Sequence, residues 1–223
     1  MLGKLLNLVT KKCVVSMKRY SYNIARWNSD EIFSPIRSKK DSIRLLMKTL
    51  KLMITNQEVP EHQIIGQLVL VISKMSRLFY FSKSKYFSIN FPFFVTETDS
   101  GLIYYSNHIS DIDSRVTSTV LSILSAVDQF DASCVLEFAD PIATISESNQ
   151  EFWPFFRELL LHEDGYVRCD YDEEHENAQL HPLNHLDIFY SSETTFKIGL
   201  RKKIEEELLI DVLSIESNCS YLE

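Results

Sequence analysis

With 223 residues, of which 45% are apolar and 24% charged, the chain has the composition of a globular protein with one sizeable core. It holds only five glycines, and neither GxGxxG nor GxxxxGKS/T occurs, which argues against the common phosphate-binding loops. The four cysteines are far apart and form no CxxC pair, so the spacing of a zinc site or a disulfide framework is missing. Isolated thiols of this kind fit the reducing cytoplasm, which is the predicted location.

Basic residues are concentrated at the N-terminus, although the net formal charge of the chain is -8. Residues 1–51 contain twelve Lys or Arg and three acids, whereas the rest contains eleven basic and 28 acidic side chains. We therefore divide the chain into a basic N-terminal arm (1–40) and a single α+β domain (41–223). Such an arm can contact nucleic acid, an anionic membrane, or an acidic surface of the same or another chain. Lysines interrupt its apolar run, which is too short to span a bilayer, so no transmembrane segment is predicted.

The first half of the predicted domain is read as two helices followed by a β-hairpin. Apolar residues at helical spacing, behind a cap at Asp41 or Ser42, predict a helix over residues 41–53. A second, largely buried helix is predicted from about residue 61 to about residue 79, so that the two form an N-terminal helical hairpin. Strand-forming runs at 87–97 and 102–106 flank a turn and predict a β-hairpin, with Pro92 at an edge or bulge.

The second half alternates short strands with helices. Helices are predicted over 113–127 and 151–161, and a C-terminal helix from 201 to about 213. The predicted strands are 134–138, 167–172, 185–190 and 196–200. Because the connections look like hairpins rather than regular crossovers, the predicted fold class is α+β with a mainly antiparallel sheet, an N-terminal helical hairpin and a C-terminal helix.

Two of these strands, 167–172 and 185–190, alternate polar and apolar residues with a period of two. If they pair with their apolar sides on one core, their polar sides also coincide. The predicted polar surface then contains Arg168, Asp170, Asp172, His185 and Asp187, with Cys169 on the opposite side and His181 at the strand entry.

Imidazole and carboxylate groups at this spacing suit both metal binding and acid–base chemistry. The predicted metal ligands are Asp170, His185 and Asp187 for a divalent metal ion. The predicted catalytic residues are His181, His185 and Arg168, the last of which would stabilise phosphate charge. The competing interpretation is structural: the histidines order a loop, and the aspartates pair with Arg168 or cap turns.

The strand at 166–172, an acidic spacer and an HPxxHL motif made by His181, Pro182, His185 and Leu186 resemble an uncharacterised bacterial family, domain of unknown function 2290. The resemblance covers about residues 151–215, under a third of the chain, and rests mainly on those four residues. It implies a bacterial or phage-related intracellular protein from a mobile or defence locus. The family has no established catalytic residues, so no role is transferred from it.

We therefore expect an intracellular component of a bacterial defence-type or toxin-type system that acts through protein contacts and through a cryptic metal-dependent phosphodiesterase or nuclease site. The alternative is a non-enzymatic binding or adaptor module whose basic N-terminal arm docks onto nucleic acid or an acidic partner surface. A protein partner or a second copy of the chain is expected to bind it.

Overall fold

An antiparallel sheet of seven strands organises this protein, as seen in a computed structural model that describes residues 17–99, 101–126, 150–177, 179–190 and 196–219. Its strands, with those of a separate two-stranded sheet, are β1 (Lys18–Ala25), β2 (Ile64–Ile72), β3 (Arg77–Ser82), β4 (Lys85–Asn90), β5 (Phe94–Thr98), β6 (Gly101–Tyr105), β7 (Val167–Tyr171), β8 (Asn184–Ile188) and β9 (Phe196–Gly199). The helices within the described residues are α1 (Ser29–Ile32), α2 (Lys39–Thr55), α3 (Ser114–Ala126), α4 (Phe152–Leu161) and α5 (Glu206–Val212). The mixed fold with a mainly antiparallel sheet is confirmed.

The large sheet has the strand order β1-β2-β3-β4-β7-β8-β9, and every neighbouring pair is antiparallel. Strands β5 and β6 pair only with each other. They lie between β4 and β7 in the sequence, so the chain leaves the large sheet after β4 and returns to it at β7. This return places β7 beside β4 and gives the polar strands predicted from the sequence a position inside the sheet.

The described part of the predicted basic arm belongs to the folded domain. Residues 18–25 form β1, which pairs along its length with β2 at one edge of the large sheet. Ile24, Ile32 and Ile36 are buried in the main core. Residues 18–40 are therefore held by backbone pairing and by apolar burial.

Helix α2 confirms the first predicted helix. Its apolar side is buried, and the Ser38 hydroxyl accepts a hydrogen bond from the Asp41 backbone N–H at its start. Asn56, in the left-handed conformation, ends the helix. The N-cap is thus Ser38 rather than the predicted Asp41 or Ser42, because the helix begins two residues earlier.

The second predicted helix, and with it the N-terminal helical hairpin, is wrong. Residues 64–72 and 77–82 are the paired strands β2 and β3, joined by a short turn. Both strands contribute side chains to the cores on the two sides of the sheet, so their sequence is continuously apolar rather than alternating. Periodicity does not distinguish such a run from a buried helix, and its many β-branched residues favoured a strand.

Most other predicted elements are present with shifted ends. The predicted hairpin is divided: residues 85–90 belong to the large sheet, and β5 pairs with β6 after the break at Pro92. Helices α3 and α4 lie within the predicted 113–127 and 151–161, with Pro154 in the first turn of α4. Helix α5 occupies only seven residues of the predicted 201–213. The predicted strand at 134–138 lies outside the described residues.

The two sides of the large sheet carry cores of different size. The larger core contains buried residues of α2, α3 and α4 together with side chains such as Tyr80 and Phe87. The smaller core packs Leu209 and Ile210 of α5 against Phe79, Phe81 and Cys169. Apolar burial on both sides fixes the sheet.

Candidate functional site

Strands β7 and β8 pair in the register that brings the predicted polar residues together. Arg168 lies opposite Asp187, Asp170 lies opposite His185, and Cys169 lies opposite Leu186. Directly paired residues project to the same side of a sheet, so the two pairs Arg168–Asp187 and Asp170–His185 share one side. Cys169 faces the smaller core on the other side. The predicted polar surface is confirmed for Arg168, Asp170, His185 and Asp187. We call it the polar face, and its other members are Tyr166, Lys85 and Lys197.

His185 is the most deeply buried polar group of this face, with a side chain 1% exposed. Its Nδ1 lies 2.7 Å from the Pro182 carbonyl oxygen. Because a carbonyl oxygen only accepts, Nδ1 carries a proton and donates it, which fixes the orientation of the ring. The other nitrogen, Nε2, points toward the two aspartates, 3.8 Å from Asp170 Oδ2 and 4.0 Å from Asp187 Oδ1.

The two aspartates share Arg168 as a counterion. Arg168 donates a hydrogen bond from Nη2 to Asp187 Oδ2, and its Nε lies 2.7 Å from Asp170 Oδ2 without the alignment that a hydrogen bond needs. The side chain of Asp187 is only 5% exposed, whereas those of Arg168 and Asp170 are 24% and 21% exposed. One oxygen from each carboxylate and one nitrogen of His185 lie within 4.8 Å of one another. This is the set of residues predicted to bind a metal ion.

Lys197, which was not predicted, completes the cluster from β9. Its Nζ lies 3.1 Å from His185 Nε2 and 3.1 Å from Asp187 Oδ1. Because an ammonium group only donates, Nε2 of His185 accepts here and presents its lone pair to a cation. The sequence shows Lys197 as the charged residue of the short strand β9, which is the only indication it gives of this residue. The position of Lys197 opposite Asp187 depends on the pairing of β9 with β8.

A further cation enters from the neighbouring strand β4. Lys85 lies opposite Asp170, donates from Nζ to the Phe33 carbonyl oxygen at 3.2 Å, and lies over the ring of Phe87 at 5.2 Å. Burial, together with Arg168, lowers the pKa of Lys85 to about 8 despite the opposing effect of Asp170. Three cations therefore face two carboxylates, so the polar face carries a surplus of positive charge.

The Tyr166 hydroxyl, in a residue 3% exposed, is buried beside Arg168, and the two side chains interact through a hydrogen bond. Burial raises the pKa of Tyr166 to about 12 against the opposing effect of Arg168, so the hydroxyl keeps its proton. Arg168 therefore contacts Tyr166 as well as the two aspartates.

His181 lies at the rim of the polar face rather than among the three proposed ligands. Its ring centre is 4.5 Å from that of His185, its side chain is 25% exposed, and its buried Nδ1 has no partner within the described residues. Its Nε2 lies 3.9 Å from Asp172 Oδ2. Asp172 follows β7 and accepts a hydrogen bond from the His175 backbone N–H, and the His175 ring lies against the same carboxylate. Asp172 therefore orders the acidic loop instead of joining the polar face.

Three of the six described cations in residues 18–40 pair with acids of the same chain. Lys18 pairs with Glu97, Arg19 with Glu207, and Lys39 with Asp164. Lys18, Arg19 and Lys39 thus contact acidic groups of the same chain, one of the three kinds of partner predicted for the arm. Lys4, Lys11 and Lys12 lie outside the described residues.

Comparison of the chain with protein-family models, with curated proteins and with solved structures gives no match. The resemblance noted for residues 151–215 therefore stays a prediction. Among the helices of the described ranges, none combines the length and the apolar composition needed to cross a lipid bilayer.

Proposed function

We propose that this chain binds a divalent metal ion through Asp170, His185 and Asp187 and hydrolyses phosphodiester bonds, as the nuclease or phosphodiesterase component of a bacterial defence-type or toxin-type system. The observation that carries the proposal is the convergence of the three ligand-type side chains from paired strands within 4.8 Å, with the lone pair of His185 Nε2 directed at the carboxylates. The defence-type setting comes from the resemblance of residues 151–215.

The ligand set favours an ion that accepts both nitrogen and oxygen, such as Mn²⁺, Fe²⁺ or Zn²⁺. Metal–ligand bonds of about 2.1 Å place neighbouring ligand atoms about 3.0–3.4 Å apart. The distances of 3.8 and 4.0 Å from His185 Nε2 to the carboxylate oxygens need to shorten by less than about 1 Å. Three protein ligands leave coordination positions for water and for a phosphate oxygen.

The Lys197 ammonium group lies 3.1 Å from His185 Nε2 and 3.1 Å from Asp187 Oδ1, so Lys197 would compete with a metal ion held by Asp170, His185 and Asp187. With 27% of its side chain exposed, Lys197 would have room to move toward solvent and to contact a phosphate oxygen there. Competition of this kind would lower the metal affinity.

The other members of the polar face have roles that follow from their charge and position. Arg168 and Lys85 supply positive charge for the phosphodiester, and the Tyr166 hydroxyl is a donor for a phosphate oxygen or for the attacking water. His181, partly exposed beside His185, is placed to exchange a proton with the leaving oxygen or with water.

Calorimetric titration of chelator-treated protein with Mn²⁺ and Zn²⁺ tests the metal centre. We expect one ion per chain, and at least about tenfold weaker binding in His185→Ala. His175→Ala is the matched control, because His175 belongs to the same segment but its side chain is 69% exposed, pairs with Asp172 of the acidic loop and meets the ring of His181 edge to face, with ring centres 6.3 Å apart. Equal binding by the His185→Ala and wild-type proteins would exclude the centre.

Hydrolysis of bis(4-nitrophenyl) phosphate, single-stranded DNA and RNA tests the reaction. The expected activity depends on the added metal and is lost in His185→Ala and in Asp187→Asn, while His181→Ala lowers the rate and changes its pH profile. In a bacterial host, a folded His181→Ala/His185→Ala double variant is expected to lose toxicity or protection against phage. Metal binding without hydrolysis of any of these substrates would reject the reaction and leave the metal centre.

A further inference from the structure

Helix α5 carries an exposed apolar patch on the side that is not buried against the sheet. Its residues Leu209 and Ile210 belong to the smaller core, whereas Leu208 and Val212 are 44% and 41% exposed. Leu208 and Val212 are four residues apart and therefore neighbours on one side of the helix, and Ile215, 50% exposed, lies in the turn that follows. We call Leu208, Val212 and Ile215 the α5 patch. Single exposed apolar residues are ordinary, but a cluster on one short element is typical of an interaction surface.

Acidic side chains surround the α5 patch. Residues 205–216 contain no basic side chain and five acids, which are Glu205, Glu206, Glu207, Asp211 and Glu216. Three basic residues precede this stretch, and the nearest of them, Lys203, is bound elsewhere, since its Nζ donates to the Lys83 carbonyl oxygen at 2.9 Å. The patch therefore fits a partner that combines apolar side chains with positive charge.

The chain enters strand β1 beside this helix. Arg19, the second residue of β1, pairs with Glu207, the residue before Leu208, with 2.5 Å between Nη1 and Oε2. The residue opposite Arg19 in β2 is Val71, which belongs to the smaller core, so Arg19 projects to the side of the sheet that α5 covers. Residues 1–16, which precede β1, are therefore attached to the fold next to the α5 patch.

The sequence of residues 1–16 is complementary to this surface. It contains three lysines and no acid. The spacing i, i+3, i+4, i+7, which is typical of one side of an amphipathic helix, is present in Leu2, Leu5, Leu6 and Val9. A helix over residues 2–13 would be about 18 Å long, against about 10 Å for the seven residues of α5, and residues 14–17 would remain as the connection to β1.

We propose that residues 1–16 dock on the α5 patch of their own chain. The leucine side of the segment packs against Leu208, Val212 and Ile215, and its lysines offset the negative charge of residues 205–216. The covalent attachment favours this occupant, because a short tether holds the segment beside the patch at an effective concentration on the order of millimolar. A second copy of the chain has to reach the same patch from solution. The proposal does not rest on the metal centre.

Thermal unfolding of glutamine variants tests the docking. Leu5→Gln/Leu6→Gln is expected to lower the midpoint by at least about 4 °C, because docking buries both leucines. Leu208→Gln, on the other side of the contact, is expected to lower it by at least about 3 °C. The matched control is Leu161→Gln, at a helical leucine that is 76% exposed, and it should stay within about 1 °C of wild type. An unchanged midpoint in Leu5→Gln/Leu6→Gln would overturn the proposal.

The combined variant distinguishes a shared contact from two independent effects. If the segment and the α5 patch touch each other, their losses are not additive, because either change alone already breaks the contact. The variant with all three substitutions, at Leu5, Leu6 and Leu208, should therefore lose at least about 2 °C less than the sum of the separate losses. Additive losses would overturn the proposal.

Two sedimentation experiments identify the other possible occupants. We expect the same oligomeric state in the wild-type and Leu208→Gln proteins; a wild-type dimer that becomes a monomer in Leu208→Gln would assign the α5 patch to a second copy and overturn the proposal. We also expect the wild-type protein not to sediment with phosphatidylserine vesicles. Co-sedimentation that is lost in Leu5→Gln/Leu6→Gln would assign the segment to a membrane surface instead.

Discussion

Replacing Asp187 by asparagine tests the electrostatic basis of the polar face with almost no change in shape. Asp187, 3% exposed, accepts hydrogen bonds from Arg168 and from Lys197. Removing one partner of a buried ion pair costs about 3–5 kcal/mol, because the remaining charge is left without a counterion. Here the two stranded cations are 24% and 27% exposed, and Asp170 remains beside Arg168, so water and the second carboxylate reduce the cost. We expect a loss of about 2–3 kcal/mol in the free energy of unfolding.

The loss is measured by urea denaturation in the presence of a chelator, followed by circular dichroism. A loss of this size lowers the midpoint of thermal unfolding by about 5–10 °C for a chain of this length. The additional change Lys197→Met removes one stranded charge and should recover about 1 kcal/mol. Asp111→Asn, at an exposed aspartate, is the matched control and should stay within about 0.5 kcal/mol of wild type. If Asp187→Asn were no less stable than this control, the paired charges would contribute nothing and the reasoning would be refuted.

Two further predictions concern groups whose pKa is shifted by burial. Burial is the main cause that lowers the pKa of Lys85 to about 8, from an unfolded value near 10.5. The charge of Lys85 therefore destabilises the folded state fully below pH 8, and this penalty is relieved as the pH rises from 8 to 10.5. Lys85→Met should therefore raise the free energy of unfolding by about 1–2 kcal/mol at pH 7, as measured by urea titration. This gain should shrink toward pH 10, and a gain that grows with pH would contradict the prediction. Burial, with Asp170, raises the pKa of Cys169 to about 12, which at pH 8 lowers its thiolate fraction on the order of a thousandfold relative to an ordinary thiol. Iodoacetamide should modify the exposed Cys219 at least about a hundredfold faster than Cys169, as followed by peptide mass spectrometry, and similar rates would show that the smaller core opens readily.

The local pattern of the sequence determined the polar face before any pairing was known. In residues 167–172 and 185–190 the alternation has a period of two, and because side chains of a strand alternate between its two sides, it assigned Arg168 and Asp170 to one side and Cys169 to the other. Antiparallel pairing then left few registers that bury the apolar side. The helix at 41–53 was equally well determined, since its apolar residues recur at helical spacing and cover one core.

The same kind of reasoning failed where a segment is buried on both sides. Residues 64–72 carry no alternation, because β2 contributes to both cores, and the continuous apolar run was assigned to a helix. Charge also gave no information on pairing. Lys18 and Arg19 were grouped into an arm, whereas their strand completes the sheet and their charges meet Glu97 and Glu207, 79 and 188 residues away along the chain.

The sequence by itself therefore determined that Arg168, Asp170, His185 and Asp187 share one side of the sheet, because that depends on neighbours two residues apart, whereas it placed Asp172 there wrongly. Only the tertiary structure decided what meets them: Lys197 lies between His185 and Asp187, and Lys85 lies opposite Asp170, through pairing of β9 and β4 with the predicted strands. The burial of Arg77, which donates to Ser88, Asn90 and Gly165, also depends on the tertiary structure. The burial of a charge is a property of the folded environment, which no local pattern records.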